Sequence, residues 1–319
     1  MKRLACGLLF VFCFANGFQA QTAFSVEDKA KKSTESLYPP MKIPGQRYKL
    51  SEEKAATEEC SKCIVIYGDT RTNHEPHKNI VKLISGRKPE TVFHTGDMVS
   101  DGAKKEQWDI FEEIVSRLRK NSEFFPIHGN HEWLSPIYFR VFNIDNWITF
   151  YSLDRHNIHF TVIDSEVPFW KGSWQYKWLE HDLKQASLSD KTKFTVALLH
   201  QPFYSSSKHG SYDSPVVARE LAPLFEKYGV DIVFSGHDHC YERLYKDGIF
   251  YVVAGAGGAP LYDMVKKHEN SQVYHKSYHY VTLSIQKDKL SFEVFDDTDK
   301  LIDSFKVMEK EKQSKPVVK

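Results

Sequence analysis

Five short segments lie in fixed order along the chain: Gly68-Asp69, Gly96-Asp97, Gly129-Asn130-His131-Glu132, His200, and Gly236-His237-Asp238-His239. Each follows an apolar run. Carboxylate, amide oxygen and imidazole in one set suit zinc, manganese or iron, and not calcium, which takes oxygen alone. A carboxylate shared by two cations about 3.5–4 Å apart is the geometry of two-metal phosphoryl chemistry. One Gly-Asp pair carries no signal, because aspartates cap helices everywhere. Five such segments in order, each closing an apolar run, are not explained by packing.

The elements that must position these residues follow from hydrophobic periodicity. Strands are expected at Ile64–Tyr67, Thr91–His94 and Phe124–His128. Helices near Pro76–Ser85 and Lys104–Lys120 separate them, which makes βαβ units with parallel strands. Tyr151–Leu153 and Ile158–Asp164 read as a hairpin, and Ser173–Ala186 as a helix. Phe194–Leu199 and Ile232–Phe234 are strands around a helix near Pro215–Tyr228. Short antiparallel strands follow at Phe250–Ala254, Tyr280–Ile285, Leu290–Phe295 and Leu301–Val307. In an open α/β sheet, ligands bind beyond the carboxyl ends of the strands. Glycines at 68, 96, 129 and 236 let the backbone turn sharply there, so the five loops meet at one sheet edge.

The wider chain limits the choices. It has 319 residues, 43 Lys+Arg against 42 Asp+Glu, and 15 histidines. That balance argues against a dedicated nucleic-acid surface or a polybasic membrane patch. At 41% hydrophobic residues, a largely disordered chain is excluded. Residues 1–20 read as a secretory signal: Lys2 and Arg3, a short apolar core from Leu4 to Phe14, then Ala15, Gly17 and Ala20. Its removal leaves a net charge of −1. Residues 21–60 read as a polar extension, 61–308 as the folded domain and 309–319 as a charged tail. No apolar run reaches the roughly 20 residues of a membrane-spanning helix. Cys60, Cys63 and Cys240 remain after the signal. Cys60 and Cys63 have C-x-x-C spacing, but Cys63 runs into a strand and not a helix, which favours a structural disulfide over thiol redox chemistry. No Asn-x-Ser/Thr sequon occurs, which favours a periplasmic over a eukaryotic secretory route.

The order Gly-Asp, Gly-Asp, Gly-Asn-His-Glu, His, Gly-His-x-His resembles the calcineurin-like metallophosphoesterase superfamily, from residue 61 to about 260. The stretch His200-Gln-Pro-Phe-Tyr-Ser-Ser-Ser-Lys-His209-Gly, with Tyr241-Glu-Arg and Ala254-Gly-Ala-Gly-Gly, is most similar to its purple acid phosphatase-like branch. The resemblance implies an α/β fold of four-layer α/β/β/α type with mixed sheets. It implies two divalent or trivalent ions (Fe, Zn or Mn). Asp97 would bridge them, Asp69 and His239 would hold the first, and Asn130, His200 and His237 the second. His131 would face the phosphate, and His209 would lie near the substrate.

Two departures from the branch stand out. Purple enzymes carry a tyrosinate three residues after the bridging aspartate, where this chain has Ser100. Other branches have Asp-x-His in the first segment, where this chain has Asp69-Thr70-Arg71. The first ion therefore lacks a protein ligand. His77 in the following helix is the candidate replacement, with His74 weaker and water a further choice; the alternative is a solvent-facing His77. Arg71 either meets a phosphate oxygen or makes a surface ion pair. His94 and His128 are expected to hydrogen-bond behind the ligands. His156, His159, His181, His268, His275 and His279 read as surface or loop residues. Phe169, Trp170 and Trp174 read as core, with a substrate wall as the alternative.

The function these features imply is an exported dimetal phosphoesterase, secreted or periplasmic. It would hydrolyse a small-molecule phosphate ester by attack of a metal-bound hydroxide, as a phosphomonoesterase. A phosphodiesterase or nucleotide hydrolase on the same centre is the alternative. A catalytically silent metal-binding protein and a thiol redox protein are further readings. A partner protein, if there is one, is not identified by these features.

Overall fold

The computed structural model describes residues 63–144, 147–210, 214–286 and 288–310. The expected signal and extension fall outside these residues, as do Cys60 of the expected Cys60–Cys63 disulfide and most of the charged tail. In the first half of the chain β1 (Ile64–Tyr67), α1 (His74–Arg87), β2 (Thr91–His94), α2 (Lys105–Asn121), β3 (Glu123–Pro126) and α3 (Pro136–Val141) alternate. Then come β4 (Tyr151–Arg155), β5 (Ile158–Val162), α4 (Trp174–Leu188), β6 (Phe194–Leu198), α5 (Ser214–Tyr228) and β7 (Ile232–Ser235). Six strands close the order: β8 (Tyr241–Lys246), β9 (Ile249–Ala254), β10 (Ser271–His275), β11 (His279–Gln286), β12 (Lys289–Asp296) and β13 (Leu301–Met308).

The strands form two sheets, as the α/β/β/α expectation requires. The first has the order β13-β12-β11-β1-β2-β3 and the second β10-β8-β9-β7-β6-β5-β4. Both are mixed. β1, β2 and β3 run parallel, as the βαβ pattern requires, and β11 joins β1 antiparallel. β9 was expected to be antiparallel to its neighbours. It lies parallel to β7 and antiparallel to β8, a strand absent from the sequence reading.

Side chains alternate between the faces of a strand, and here both faces are covered. Ile64, Ile66, Phe93 and Phe125 of the first sheet meet Phe160, Val196, Leu198 and Phe234 of the second in one core between the sheets. Val65, Tyr67, Val92 and Phe124 point the other way, onto Ile80, Ile84, Trp108, Phe111 and Tyr138 of α1, α2 and α3. Ala197 and Val233 pack beneath Leu179, Leu183, Leu221 and Phe225 of α4 and α5. The layers are α/β/β/α. Strands buried on both faces must be apolar throughout, which is why β1 reads Ile-Val-Ile-Tyr without alternation.

His159 and His279 are buried, contrary to their reading as surface residues. His159 in β5 lies between Asp154 Oδ1 and Asp182 Oδ2, each 2.9 Å away. Burial lowers its pKa, but the two carboxylates outweigh it and raise the group to about 9. A raised folded-state pKa contributes stability below the unfolded value near 6.5, and that contribution is lost as pH rises through about 9. At most about 3 kcal/mol is involved. His159→Gln is expected to lower unfolding free energy most at pH 6, with the gap from the parent closing by pH 10. A gap equal at both pH values would show that the imidazole is not charged in the fold.

Candidate metal centre

Asp69 follows β1, Asp97 follows β2 and Asn130 follows β3, while His200 follows β6 and His237 and His239 follow β7. The first three come from one sheet and the last three from the other, so the site lies across the carboxyl ends of both. Asp69, Asp97 and His237 have φ of 53°, 55° and 69°. These left-handed conformations are uncommon for non-glycine residues and cluster at functional sites. The turns interlock, with Asp69 N donating to Gly96 O at 2.9 Å and Thr70 N to Asp97 O at 3.0 Å. At Gly236 a Cβ would lie 2.3 Å from Asp69 Oδ2. Only glycine lets the backbone pass that carboxylate.

Two groups of buried ligand-type atoms result, each within 4.8 Å of one another: Asp97, His200 and His237, and Asp69, Asp97 and His239. Asp97 belongs to both. Asn130 joins the first group, its Oδ1 3.1 Å from His200 Nε2. His200 Nδ1 donates to Thr95 O at 2.8 Å, so Nε2 carries the lone pair. Burial lowers the pKa of His200 to about 4. That lone pair faces Asn130 Oδ1, and lies 3.4 Å from Asp97 Oδ1. Three electron-pair donors, none with a proton to share, are pressed together, and His237 Nδ1 is 3.2 Å away. Such a set fits a metal ion.

The second group has a similar chemistry. His239 Nδ1 donates to Pro260 O at 2.7 Å, and its ring stacks on Tyr262 with centroids 4.0 Å apart. Burial lowers its pKa to about 3. Burial and the adjacent Asp97 push Asp69 well above the usual carboxylate range. For Asp97 burial also raises the pKa, but His200, His131 and Arg71 bring it below the ordinary value.

Glu132 received no role from the sequence. It is fully buried, and its carboxylate accepts N–H bonds from Asp97 (2.9 Å), Met98 (2.7 Å) and Gly129 (2.9 Å). It therefore ties the β2 loop to the β3 loop and sets the distance between Asp97 and Asn130. Its place three residues after Gly129 was the available signal. Asp238 acts similarly, accepting from Ser205 Oγ (2.5 Å) and from His209 N (3.1 Å).

His131 stands at the edge of the site. Its backbone N donates to Asp97 Oδ1 at 3.1 Å, and its Nδ1 donates to Ser100 O at 2.8 Å. Nε2 is thereby turned inward, 3.8 Å from Asp97 Oδ2. His209 packs on His237 with ring centroids 4.0 Å apart. The hydroxyl of Ser100 pairs with Thr72 Oγ1 at 3.1 Å.

His77 is corrected on both counts. It joins neither ligand group and does not face solvent. It is buried against Tyr67 and stacks on Phe111, and burial lowers its pKa to about 3. Arg71 is not a surface ion pair: its Nε lies 3.2 Å from Asp97 Oδ2 and its Nη2 3.5 Å from His239 Nε2. Arg71, His74 and His77 border a cavity of about 170 Å³ beside the centre. His94 Nε2 meets Thr70 Oγ1 at 3.1 Å, and His128 Nδ1 lies 3.0 Å from Asp164 Oδ2. Both stand behind the ligand loops as expected.

Of the aromatics read as core, only Phe169 is buried. Trp170 and Trp174 are half exposed and, with Trp147, line a cleft of about 490 Å³. The cleft is tied to the ligand loops through Asp164. That residue accepts from Thr149 Oγ1, and its carbonyl accepts from Gln175 Nε2 at 2.9 Å.

Among the described residues, no helix is long and apolar enough to cross a membrane. The profile of the calcineurin-like phosphoesterase family matches residues 64–241. The chain is 30% identical over 219 residues to probable purple acid phosphatase 20 of Arabidopsis thaliana, covering 60% of this chain and 51% of that protein. It spans about a third to a half of the length of the curated relatives it matches. The structure of purple acid phosphatase PPD1 from yellow lupin (Lupinus luteus) is similar with a TM-score of 0.68 at 23% identity, over 77% of this chain and 53% of that one. GAP50, the anchor in the inner membrane complex of Plasmodium, is similar with a TM-score of 0.64 at 18% identity, over 80% and 90%. Both likenesses concern the fold.

Proposed function

The chain belongs to the calcineurin-like phosphoesterase family, and from that membership we propose that it is an exported, metal-dependent phosphoric ester hydrolase acting on small phosphomonoesters. One observation carries the reading: Asp69, Asp97, Asn130, His200, His237 and His239 converge from two sheets around one shared carboxylate. We assign Asp69, Asp97 and His239 to one ion and Asp97, Asn130, His200 and His237 to the other, drawn from iron, zinc or manganese. Bound there, the ions supply a nucleophile at neutral pH and offset charge on the phosphate oxygens.

The chain's own residues do the rest. His131, pinned through Nδ1 on Ser100 O, turns Nε2 to the phosphate, where the imidazolium form, with a proton on each nitrogen, donates to a phosphate oxygen or to the leaving oxygen. His209, held by Asp238 through its backbone, closes the substrate side beside His237. Glu132 keeps the Asp97 and Asn130 loops in register. The complete ligand set, with His131 beside it, weighs against a silent protein of the same fold.

A second reading, hydrolysis of a diester or nucleotide, draws on the tryptophan cleft, whose exposed indole faces suit a stacked ring. The deciding measurement is turnover of p-nitrophenyl phosphate, bis(p-nitrophenyl) phosphate and a nucleoside monophosphate, with each metal added to stripped protein. The monoester is expected to be hydrolysed at least tenfold faster than the diester. Diester preference would favour the second reading, and no turnover with any metal would remove the enzyme assignment.

A further inference from the structure

The two ligand groups differ in what already fills them. Around His200 Nε2 the nearest described groups are Asn130 Oδ1, Asp97 Oδ1 and His237 Nδ1, and none of these is an arginine or lysine. Around His239 Nε2 a cation is present: the Arg71 guanidinium, 3.5 Å away. His239 Nδ1 is spent on Pro260 O, so the nitrogen that faces Arg71 carries the lone pair. That is the electron pair a metal would take. Asp97 repeats the division. Its Oδ1 lies 3.4 Å from His200, while its Oδ2 lies 3.2 Å from Arg71 Nε. The shared carboxylate thus turns one oxygen to each side, and on one side the cation it meets belongs to the chain.

Resting on the metal-centre reading above, we propose that Arg71 makes the two metal subsites unequal. The Asn130–His200–His237 subsite takes its ion readily. The Asp69–His239 subsite takes one only after the guanidinium has left Asp97 Oδ2 and His239 Nε2. The protein is then a one-ion species at limiting metal, with Arg71 as its second positive centre, and a two-ion species when metal is abundant. The physical reason is that a guanidinium and a metal ion compete for the same two lone pairs and repel each other at this range. Arg71 is only 17% exposed, so solvent screens that repulsion poorly.

Zinc binding to stripped protein, followed by equilibrium dialysis and elemental analysis without any substrate, tests this. The parent is expected to bind one ion per chain first, with the second at least tenfold weaker. Arg71→Ala and the longer, uncharged Arg71→Gln are both expected to tighten the second ion by about tenfold or more and leave the first unchanged. His239→Ala should lose the weaker ion alone. Two equal sites in the parent would overturn the proposal, as would a second affinity that neither Arg71 variant alters. If parent and variants bound no ion at all, the metal-centre reading itself would fall with it.

Discussion

Asp97→Asn is expected to abolish turnover, by about three orders of magnitude or more, together with loss of metal. The substitution keeps the size of the side chain, so the cause is chemical. Asp97 is the one residue common to both ligand groups, with Oδ1 toward His200 and Oδ2 toward Arg71 and the His239 side. An amide presents an oxygen to one side and an N–H donor to the other. Whichever way it turns, one subsite loses its ligand and gains a proton. The negative charge that both cations share is also gone. Metal content by elemental analysis and kcat on one monoester should fall together. Full metal content with full turnover would show that Asp97 is not shared.

His131→Ala is expected to separate the two quantities that Asp97→Asn moves together. His131 donates its backbone N–H to Asp97 Oδ1, which alanine keeps, while its side chain is held by Ser100 O and its Nε2 stands 3.8 Å from Asp97 Oδ2, beyond hydrogen-bond distance. Metal binding should therefore stay close to the parent's. The rate should fall by roughly 10²–10⁴, the usual range for a group that moves a proton or meets developing charge. Loss of metal from this variant would place His131 among the groups that hold the ions.

The strands and the ligand segments were legible because burial on both faces leaves apolar runs, and because a ligand-type residue, preceded by glycine in four of the five, follows each one. Division into two sheets followed from the family resemblance and not from periodicity, since β5, β6 and β7 have the same local pattern as β1, β2 and β3 whichever sheet they join. Pairing of β7 with β9 depends on β8, whose Tyr-Glu-Arg-Leu-Tyr-Lys sequence lacks an apolar run. The burial of His77 was readable after all. With α1 beginning at His74, residues 77, 80, 81 and 84 share one face, and the other three are Ile, Val and Ile. The orientation of Arg71 was not readable: a long side chain two residues past Asp69 can turn outward or back, and only the folded β2 loop shows the carboxylate it meets.

The ligands of the Asn130 subsite come from both layers of the sandwich, Asp97 and Asn130 from one sheet and His200 and His237 from the other. An ion seated there is a fastener between two sheets that otherwise adhere through apolar contact. Because the unfolded chain does not bring these four residues together, occupancy is linked to the folding equilibrium. At a free ion concentration a hundred times its dissociation constant, that linkage adds about 2.7 kcal/mol to the folded state. The melting temperature of such a protein is then a readout of metal supply, and chelation loosens the whole sandwich as well as silencing its rim.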